Sequence, residues 1–361
     1  MPVHVPFVDL HAELEEIRRE VEPAVRDVIE SAQFIMGPQV ARFEASFAEY
    51  VGARYAVGVS NGTEALKLAL EAIDVGRGDE VIVPAHTFAA SALAVWAAGA
   101  TPRLVDCDDR THRIDPVAAR RAVGERTRAI IAVHLYGGMA DLEALADLGL
   151  PIVEDCAQAH GATANGRTAG SVGIAGCFSF YPSKNLGAWG DGGCVVTSDE
   201  RVYRRLLHLR NYGQSKKYHH DEKGYNSRLD TLQAAVLSVK LPRLDDGNAR
   251  RRRAAAFYAQ HLRTDLPRPG PDGVFHLYPI LARNRDLLRT RLATEGIESG
   301  IHYPIPLHLL PCFADLGHRE GDFPVAERIA RETLSLPIYP QIRDEQLAHV
   351  VEQVNRFAEA P

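Results

Sequence analysis

The chain has 361 residues, with 41 Lys and Arg against 47 Asp and Glu and a formal net charge of −6. Its 46% hydrophobic and 24% charged residues are typical of a soluble globular protein and exclude a wholly disordered or collagen-like chain. The acidic balance argues against nucleic acid as a partner, because phosphate binding needs clustered positive charge. The best basic run, residues 250–253, is interpreted as a solvated helix face.

The five cysteines are scattered and form no CxxC pair, so they do not predict a disulfide framework. We therefore expect a reducing, cytoplasmic compartment. The start of the chain lacks a basic segment followed by an apolar stretch, and so it predicts no secretory signal. The longest weakly polar stretch, residues 88–100, is shorter than the roughly 20 residues of a membrane span. It predicts a buried helix, and no membrane partner is expected.

Between about residues 55 and 198, short runs rich in Val and Ile alternate with longer helical patterns. This alternation predicts βαβ units and a parallel sheet in one large α/β domain. Several runs are continuously apolar, as expected for strands that are covered by helices on both faces. The predicted strands are 55–59, 81–84, 101–106, 129–135, 151–155, 177–180 and 194–197.

A helix over 199–211, a polar loop over 213–226 and a helix over 229–241 are predicted next. Pro242 and the charged segment after it indicate a domain boundary near residue 245. Residues 1–245 are thus predicted to form the large domain, and residues 246–361 a smaller α+β domain. Its predicted elements are helices over 285–295, 324–334 and 344–358 and strands over 274–281 and 300–303.

The segment SNGTEAL, residues 60–66, is a small polar turn between a predicted strand and an Ala- and Leu-rich helix. A helix N-terminus exposes unpaired N–H groups, and glycine lets the backbone approach an anion closely. Gly62 and Thr63 are therefore candidates to bind a phosphate. The alternative is an ordinary capping turn, which uses the same residue types.

The segment VEDCAQAHG, residues 153–161, places Asp155 at the carboxyl end of an apolar strand. Ligands bind outside such strand ends in open α/β sheets, so Asp155 could face a cofactor. It could equally cap a helix. Cys156 and His160 suggest a metal pair, but no further ligands at a sensible spacing support it, and no metal is predicted.

The segment FSFYPSKNLG, residues 178–187, places Lys184 after a short strand among aromatic and small residues, and GDGG follows. Such a lysine tends to be desolvated, which lowers its pKa toward values useful for a Schiff base or a proton transfer. Most lysines are instead solvated surface charges. The phosphate-type turn, Asp155 and Lys184 together match pyridoxal 5′-phosphate (PLP), which needs backbone donors, a carboxylate and an amine.

Six segments together resemble the DegT/DnrJ/EryC1/StrS family of PLP-dependent sugar aminotransferases, over about residues 5–355: SNGTEAL, PAHTFAAS, VEDCAQAHG, FSFYPSKNLG, GDGG and GYNSRLDTLQAA. The resemblance implies the α/β aspartate aminotransferase type I fold. It also implies transfer of an amino group from L-glutamate, through the pyridoxamine form of the cofactor (PMP), to a keto sugar linked to a nucleotide diphosphate. Ping-pong kinetics follow. Dehydratases of the family carry histidine in place of the lysine, so Lys184 favours amino transfer.

The resemblance also implies roles for single residues. Lys184 would bond to the PLP aldehyde and shuttle a proton, and Asp155 would pair with the pyridinium nitrogen. Gln158 would hydrogen-bond the ring hydroxyl, and Phe88 would stack on the ring, although core packing explains Phe88 as well. Asn226 would reach the phosphate of the neighbouring subunit's cofactor, so a homodimer with interfacial active sites is implied. The remaining phosphate ligands would be Gly62, Thr63 and Ser179.

The segment around residues 210–226 resembles the members that aminate C3 of dTDP-3-keto-6-deoxyhexoses more than the C4 enzymes. A dTDP-sugar of deoxyaminosugar biosynthesis is thus the expected substrate. Candidate substrate contacts are Tyr181, Tyr218 and His308, each of which could instead be a packing, surface or structural residue.

The alternatives to this function are less consistent with the sequence. A C4 sugar aminotransferase or an aminocyclitol-forming relative is the alternative enzyme. A regulatory or scaffold homologue would not need the lysine, the aspartate and the phosphate turn together. An NAD-linked dehydrogenase is disfavoured, because no G-x-G-x-x-G opens a helix after the first strand.

Overall fold

The computed structural model describes residues 3–263 and 273–358. The β-strands of these residues are, in chain order, β1 (Tyr55–Val59), β2 (Glu80–Pro84), β3 (Thr101–Val105), β4 (Thr127–Val133), β5 (Ile152–Asp155), β6 (Thr163–Ala164), β7 (Arg167–Thr168), β8 (Ala175–Ser179), β9 (Gly193–Thr197), β10 (Gln214–Lys216), β11 (His219–His220), β12 (Tyr278–Leu281) and β13 (Thr333–Leu336).

The α-helices of the same residues are α1 (Leu10–Ser31), α2 (Pro38–Val51), α3 (Gly62–Ala72), α4 (Ala90–Ala97), α5 (Pro116–Ala122), α6 (Leu142–Ala146), α7 (Glu200–Leu209), α8 (Thr231–Lys240), α9 (Leu244–His261), α10 (Arg285–Thr294), α11 (Pro324–Glu332) and α12 (Asp344–Ala358). Short 3-10 helices cover Leu135–Gly137, Leu241–Arg243, Leu307–Leu309 and Pro311–Leu316.

A seven-stranded sheet organises the larger part of the chain, in the order β1-β9-β8-β5-β4-β2-β3. Strands β3, β2, β4, β5 and β8 run parallel, and β9 runs antiparallel to both β1 and β8. The predicted α/β fold with a mostly parallel sheet is confirmed. Its seven strands coincide with the seven predicted ones to within a few residues at their ends.

Helices cover both faces of this sheet, which explains its continuously apolar strands. Val195 belongs to the core under α3, α4 and α7, whereas its neighbour Val196 packs into a second core with α2 and α8. A third core lies between the sheet and helices α5 and α6. All five residues of β2 and of β9 are buried.

The C-terminal part has its own core, formed by β12, β13 and helices α9, α10 and α12. Helix α9 crosses the predicted boundary near residue 245: Leu244 packs in a core of the sheet, and Tyr258 packs in the C-terminal core. The start of the chain also packs there, since Val5 pairs with Ile297. The division into residues 1–245 and 246–361 stays a prediction.

Four predicted elements are wrong in detail. The strand over 300–303 is absent: Gly300 alone pairs with Ser335, and the prolines that follow at 304 and 306 lack the N–H a ladder needs. The strand over 274–281 begins only at Tyr278, and the polar loop over 213–226 contains the hairpin β10–β11. The segment 88–100 forms helix α4, but this helix is covered on one side only, and Trp96 is 68% exposed.

All five cysteines are free thiols, four of them buried. This agrees with the expectation that no disulfide framework supports the fold. Within the described ranges, no helix combines the length and the apolar character needed to cross a membrane.

A buried carboxylate supports the end of β5. Glu154 lies in the sheet interior, and its Oε2 is 2.8 Å from Nε2 of the equally buried His134. Burial alone would raise the pKa of Glu154. The hydrogen bond and charge of His134, together with hydrogen bonds from backbone N–H groups, outweigh burial and lower the pKa. The carboxylate also accepts hydrogen bonds from three backbone N–H groups, those of Gly170, Val172 and Gly173.

We expect Glu154→Ala to lower the free energy of unfolding by about 3 kcal/mol or more, because His134 and three buried N–H groups lose their acceptor. Urea unfolding followed by circular dichroism measures the change. The matched control is Glu200→Ala, which removes an exposed pair with Arg204 and should cost about 0.5 kcal/mol or less. Equal losses for the two variants would contradict this account of β5.

Candidate active site

The carboxyl ends of β1, β5 and β8 meet at one edge of the sheet and bring together three of the predicted segments. The turn that follows β1 packs against the end of β8. A Cβ atom added to Gly62 would lie 2.6 Å from Cβ of Ser179, so only glycine allows this close approach. Gly62 and Ser179 are therefore neighbours, as two ligands of one phosphate must be.

Helix α3 begins at Gly62, so Gly62 and Thr63 occupy its first turn, where backbone N–H groups lack helical partners. Asn61 caps the helix by accepting a hydrogen bond of 2.9 Å from the N–H of Glu64. The hydroxyl of Ser60 lies 3.1 Å from that of Ser227. The capping interpretation of this turn is thus correct, and it leaves the first turn of α3 able to bind an anion.

Asp155 ends β5 and is buried. Its Oδ2 accepts a hydrogen bond of 2.8 Å from the hydroxyl of Ser91, and its Oδ1 accepts one of 3.2 Å from the N–H of Ala157. The alternative role as a helix cap is wrong, because the chain continues from Asp155 into turns and then into β6. Burial raises the pKa of Asp155, so a cationic partner would stabilise its carboxylate.

Lys184 lies in the loop between β8 and β9, where its backbone N–H donates to the carbonyl of Tyr181 at 2.8 Å. Burial lowers the pKa of the Lys184 amine from 10.5 to about 8, and the Asp155 carboxylate opposes the shift. The charges of the two side chains therefore act on each other. At about pH 8 half of the amine is neutral and nucleophilic.

Gln158 is fixed by hydrogen bonds at both ends of its amide. Its Oε1 accepts from the N–H of Tyr136 at 2.6 Å, and its Nε2 donates to the hydroxyl of Tyr303 at 3.0 Å. The ring of Phe88 lies 5.4 Å from that of Tyr303 and is 56% exposed. The alternative that Phe88 is a core residue is therefore wrong for this chain.

Three other predicted residues lie on the surface. Asn226 is exposed and pairs with Asn211, while the adjacent Ser227 is buried. Tyr181 is 56% exposed, and its N–H donates to the hydroxyl of Ser179 at 3.3 Å. Tyr218 is 79% exposed between β10 and β11. Their roles toward cofactor and substrate stay predictions.

His308 is buried in the 3-10 helix Leu307–Leu309. Its Nε2 lies 3.0 Å from a carboxylate oxygen of Glu327, and its ring packs edge-on against Phe323. A substrate contact for His308 stays a prediction that this geometry does not favour. Nδ1 of His302 lies 3.0 Å from the hydroxyl of Ser335, and burial lowers the pKa of His302 to about 4, with a further contribution from Lys184.

Sequence reasoning missed three residues of the site: Ser91, His276 and Tyr303. Ser91 binds Asp155, Tyr303 binds Gln158, and Nε2 of His276 lies 3.5 Å from Nζ of Lys184. The signal was weak for each of them. Ser91 is the last residue of the segment PAHTFAAS, and His276 is a polar residue in an apolar run. Neither feature indicates which side chain the residue contacts.

A group of possible metal ligands, His134, Glu154 and Cys156, lies close to the site, with one atom of each within 4.8 Å of the others. The carboxylate of Glu154 already accepts four hydrogen bonds, and Nδ1 of His134 accepts one from the N–H of Ala140. Burial raises the pKa of the Cys156 thiol well above its usual value, which disfavours the thiolate that binds metals. The group fits a structural network better than a metal centre.

Comparison with known proteins decides the family. The model of the DegT/DnrJ/EryC1/StrS aminotransferase family matches residues 15–355. The chain belongs to this family. It is therefore an aminotransferase, and the family is PLP-dependent.

Individual aminotransferases resemble this one over their whole length. The dTDP-3-amino-3,4,6-trideoxy-alpha-D-glucose transaminase of Streptomyces venezuelae is 47% identical over 98% of this chain and 96% of its own. The UDP-N-acetyl-3-dehydro-alpha-D-glucosamine 3-aminotransferase of Acidithiobacillus ferrooxidans is 47% identical over 98% and 97%. A crystal structure of S. venezuelae DesV in complex with a ketimine intermediate superposes with a TM-score of 0.97, at 47% identity and with all of both chains covered.

The pKa of Lys184 predicts how its amine reacts in the cofactor-free protein. We expect the rate of labelling by acetic anhydride to rise with pH and to reach half its limit near pH 8, because only the neutral amine is nucleophilic. Mass spectrometry of the peptide that contains Lys184 measures this rate.

Asp155→Asn is the control for this titration. Removal of the carboxylate removes the interaction that raises the pKa of Lys184, so the midpoint should move to lower pH. A midpoint near the 10.5 of an ordinary lysine would show that the amine is not buried.

Proposed function

We propose that this aminotransferase moves an amino group from L-glutamate to C3 of a dTDP-linked 3-keto-6-deoxyhexose, in the cytoplasm. The observation that carries the proposal is the placement of Lys184, in the loop after β8, beside Asp155 at the end of the adjacent β5, at the edge of the sheet where α3 begins. The relatives support the substrate, since one is named for a dTDP-3-amino sugar and another for a 3-amination. Five free thiols support a reducing compartment.

The residues of the site fit PLP. Lys184 supplies the amine that the aldehyde requires, and Asp155 supplies a carboxylate for the ring nitrogen. Gln158, fixed by two hydrogen bonds, would hold the ring hydroxyl, and the exposed ring of Phe88 is free to stack. The phosphate ligands would be Gly62, Thr63 and Ser179.

PLP, when bound, supplies an electron sink that stabilises negative charge on the substrate carbon. The protein supplies the proton transfers and the orientation. Nζ of Lys184 holds and moves the proton, and a pKa of about 8 lets it alternate between its two protonation states near neutral pH. The Asp155 carboxylate would keep the ring nitrogen of bound PLP protonated, and Ser91 holds that carboxylate in place.

We also propose that Tyr181 and Tyr218 contact the substrate. Tyr181 lies three residues before Lys184 and is exposed at the same edge of the sheet. Tyr218 lies on the hairpin β10–β11 next to Lys216 and Lys217, and ammonium groups suit a diphosphate.

A homodimer completes the proposed site. Exposed apolar side chains gather around the start of α8, where Phe34 accepts a hydrogen bond from the N–H of Thr231 and the N–H of Trp189 donates to Gln233. Contiguous exposed apolar surface of this kind is typical of protein interfaces. Its exposed members are Phe34, Ile35, Met36 and Trp189. The exposed Asn226 would bind the phosphate of the partner's cofactor.

Mixing two inactive variants tests the role of Asn226. In a dimer that pairs a Lys184→Ala chain with an Asn226→Asp chain, one of the two sites has no defect if Asn226 acts across the interface. Part of the activity should therefore return after the subunits are exchanged.

The control mixes Lys184→Ala with Asp155→Asn, two residues of the same chain's site, and should restore nothing. Failure of the first mixture to recover activity, with subunit exchange shown by native mass spectrometry, would place Asn226 in its own chain's site. A monomer in sedimentation velocity would contradict the dimer.

Covalent labelling tests the cofactor assignment. We expect borohydride to fix PLP on the peptide that contains Lys184, and Lys184→Ala to abolish both this labelling and amino transfer. Lys240→Met is the matched control: Lys240 is also buried but is paired with Glu13 at 2.7 Å, so its loss should leave the labelling unchanged. Labelling that persists in Lys184→Ala would overturn the assignment.

Substrate choice is tested with L-glutamate and three acceptors: a dTDP-3-keto-6-deoxyhexose, its 4-keto isomer and a UDP-linked 3-keto sugar. The product with nitrogen at C3 of the dTDP-sugar, located by NMR, is the expected result. Turnover of the 4-keto sugar alone would overturn the C3 proposal. Turnover of the UDP-sugar alone would overturn the proposal that the acceptor carries dTDP.

A further inference from the structure

We propose that His276 is a positioning residue for Lys184, which holds Nζ through a lone pair on Nε2 and stabilises its protonated form. The inference rests on the proposed function in one respect, that Lys184 is the reactive amine. It concerns a residue that lies outside the motifs of the site, 92 positions from Lys184 along the chain.

The hydrogen bonds of Asn185 fix the tautomer of His276. Nδ2 of Asn185 donates to the side-chain oxygen of Asn248 at 2.8 Å and to the carbonyl of Val274 at 3.0 Å, so its Oδ1 is left to accept. That oxygen lies 3.2 Å from Nδ1 of His276. Nδ1 therefore carries the proton, and Nε2 presents a lone pair.

The lone pair on Nε2 faces the amine. Nε2 lies 3.5 Å from Nζ of Lys184. This distance is long for a hydrogen bond, so the contact is weak and the amine can still move. Burial keeps the pKa of His276 well below its usual value, with a further contribution from Lys184, so the ring is neutral when the lysine is charged. The ammonium can then donate to the imidazole without repulsion.

The backbone of His276 is fixed as well. The guanidinium of Arg251, buried in α9, donates to the carbonyl of Phe275 at 3.2 Å, to that of His276 at 3.4 Å and to that of Ile338 at 2.8 Å. A histidine that merely filled space would need neither this anchor nor a defined tautomer. Ring and backbone are thus both held in the orientation that aims Nε2 at Lys184.

Acetic anhydride labelling of Lys184 in the cofactor-free protein tests the proposal, because it reads the pKa of the amine without any turnover. His276→Phe keeps a ring but loses the acceptor, and it should lower the midpoint by about one unit. His276→Gln offers a carbonyl oxygen in place of Nε2 and should restore most of that shift.

His160→Phe is the matched control. His160 is fully buried against Phe178 and Phe180, and its ring is neutral because burial lowers its pKa to about 3. Its replacement by another neutral ring should leave the midpoint for Lys184 unchanged. Thermal unfolding and near-ultraviolet circular dichroism establish that each variant is folded.

The results separate the two proposals. If His276→Phe is folded and leaves the midpoint where it is, or if His160→Phe shifts it equally, His276 does not act on the amine. The proposed function would survive that outcome, because borohydride fixation of PLP on Lys184 measures it independently. If borohydride does not fix PLP on Lys184 in the wild-type protein, the proposed function is overturned instead.

Discussion

Burial lowers the pKa of the Lys184 amine to about 8, and the Asp155 carboxylate limits that shift. The balance between these two effects is the constraint on which the site depends. An amine at the surface would stay charged and unreactive near neutral pH, whereas an amine buried without a counter-charge would lose its proton too readily to return one. The sheet creates the balance by ending β5 and β8 next to each other, so that the carboxylate and the lysine loop lie at the same edge.

Much of the surrounding structure fixes the residues around Asp155 and Lys184. The hydrogen bond between His134 and Glu154 fixes the end of β5. Ser91, which lies in α4, donates a hydrogen bond to the carboxylate of Asp155. Helix α9 contributes from the other side, since Asn248 binds Asn185 and the carbonyl of His160. These hydrogen bonds keep the carboxylate of Asp155 and the loop of Lys184 in defined positions.

The fold and the centre of the site could be predicted from sequence because both depend on local pattern. Apolar runs and the helices between them define a parallel sheet. Asp155 ends a strand of that sheet, and Gly62 and Lys184 lie within five residues after one. His276 and Tyr303 could not be predicted, because they reach the site from the C-terminal part of the chain by tertiary packing. His308 shows the same limit: it was a candidate for substrate binding, but the fold buries it against Glu327.

The loop that carries Lys184 is closed on itself. The N–H of Phe180 donates to the carbonyl of Gly192, and the N–H of Ala188 donates to the carbonyl of Phe180, so the loop begins and ends at one point between two paired strands. Strands β8 and β9 pair directly beside these bonds, from Ser179 opposite Gly193. The two ends of this loop differ in how far they could be exchanged. Leu186 is buried in the core with α2 and α8, and Asn185 is hydrogen-bonded to Asn248, so a protein engineer who wanted a different chemistry on this scaffold would have to keep both residues and vary the residues before them.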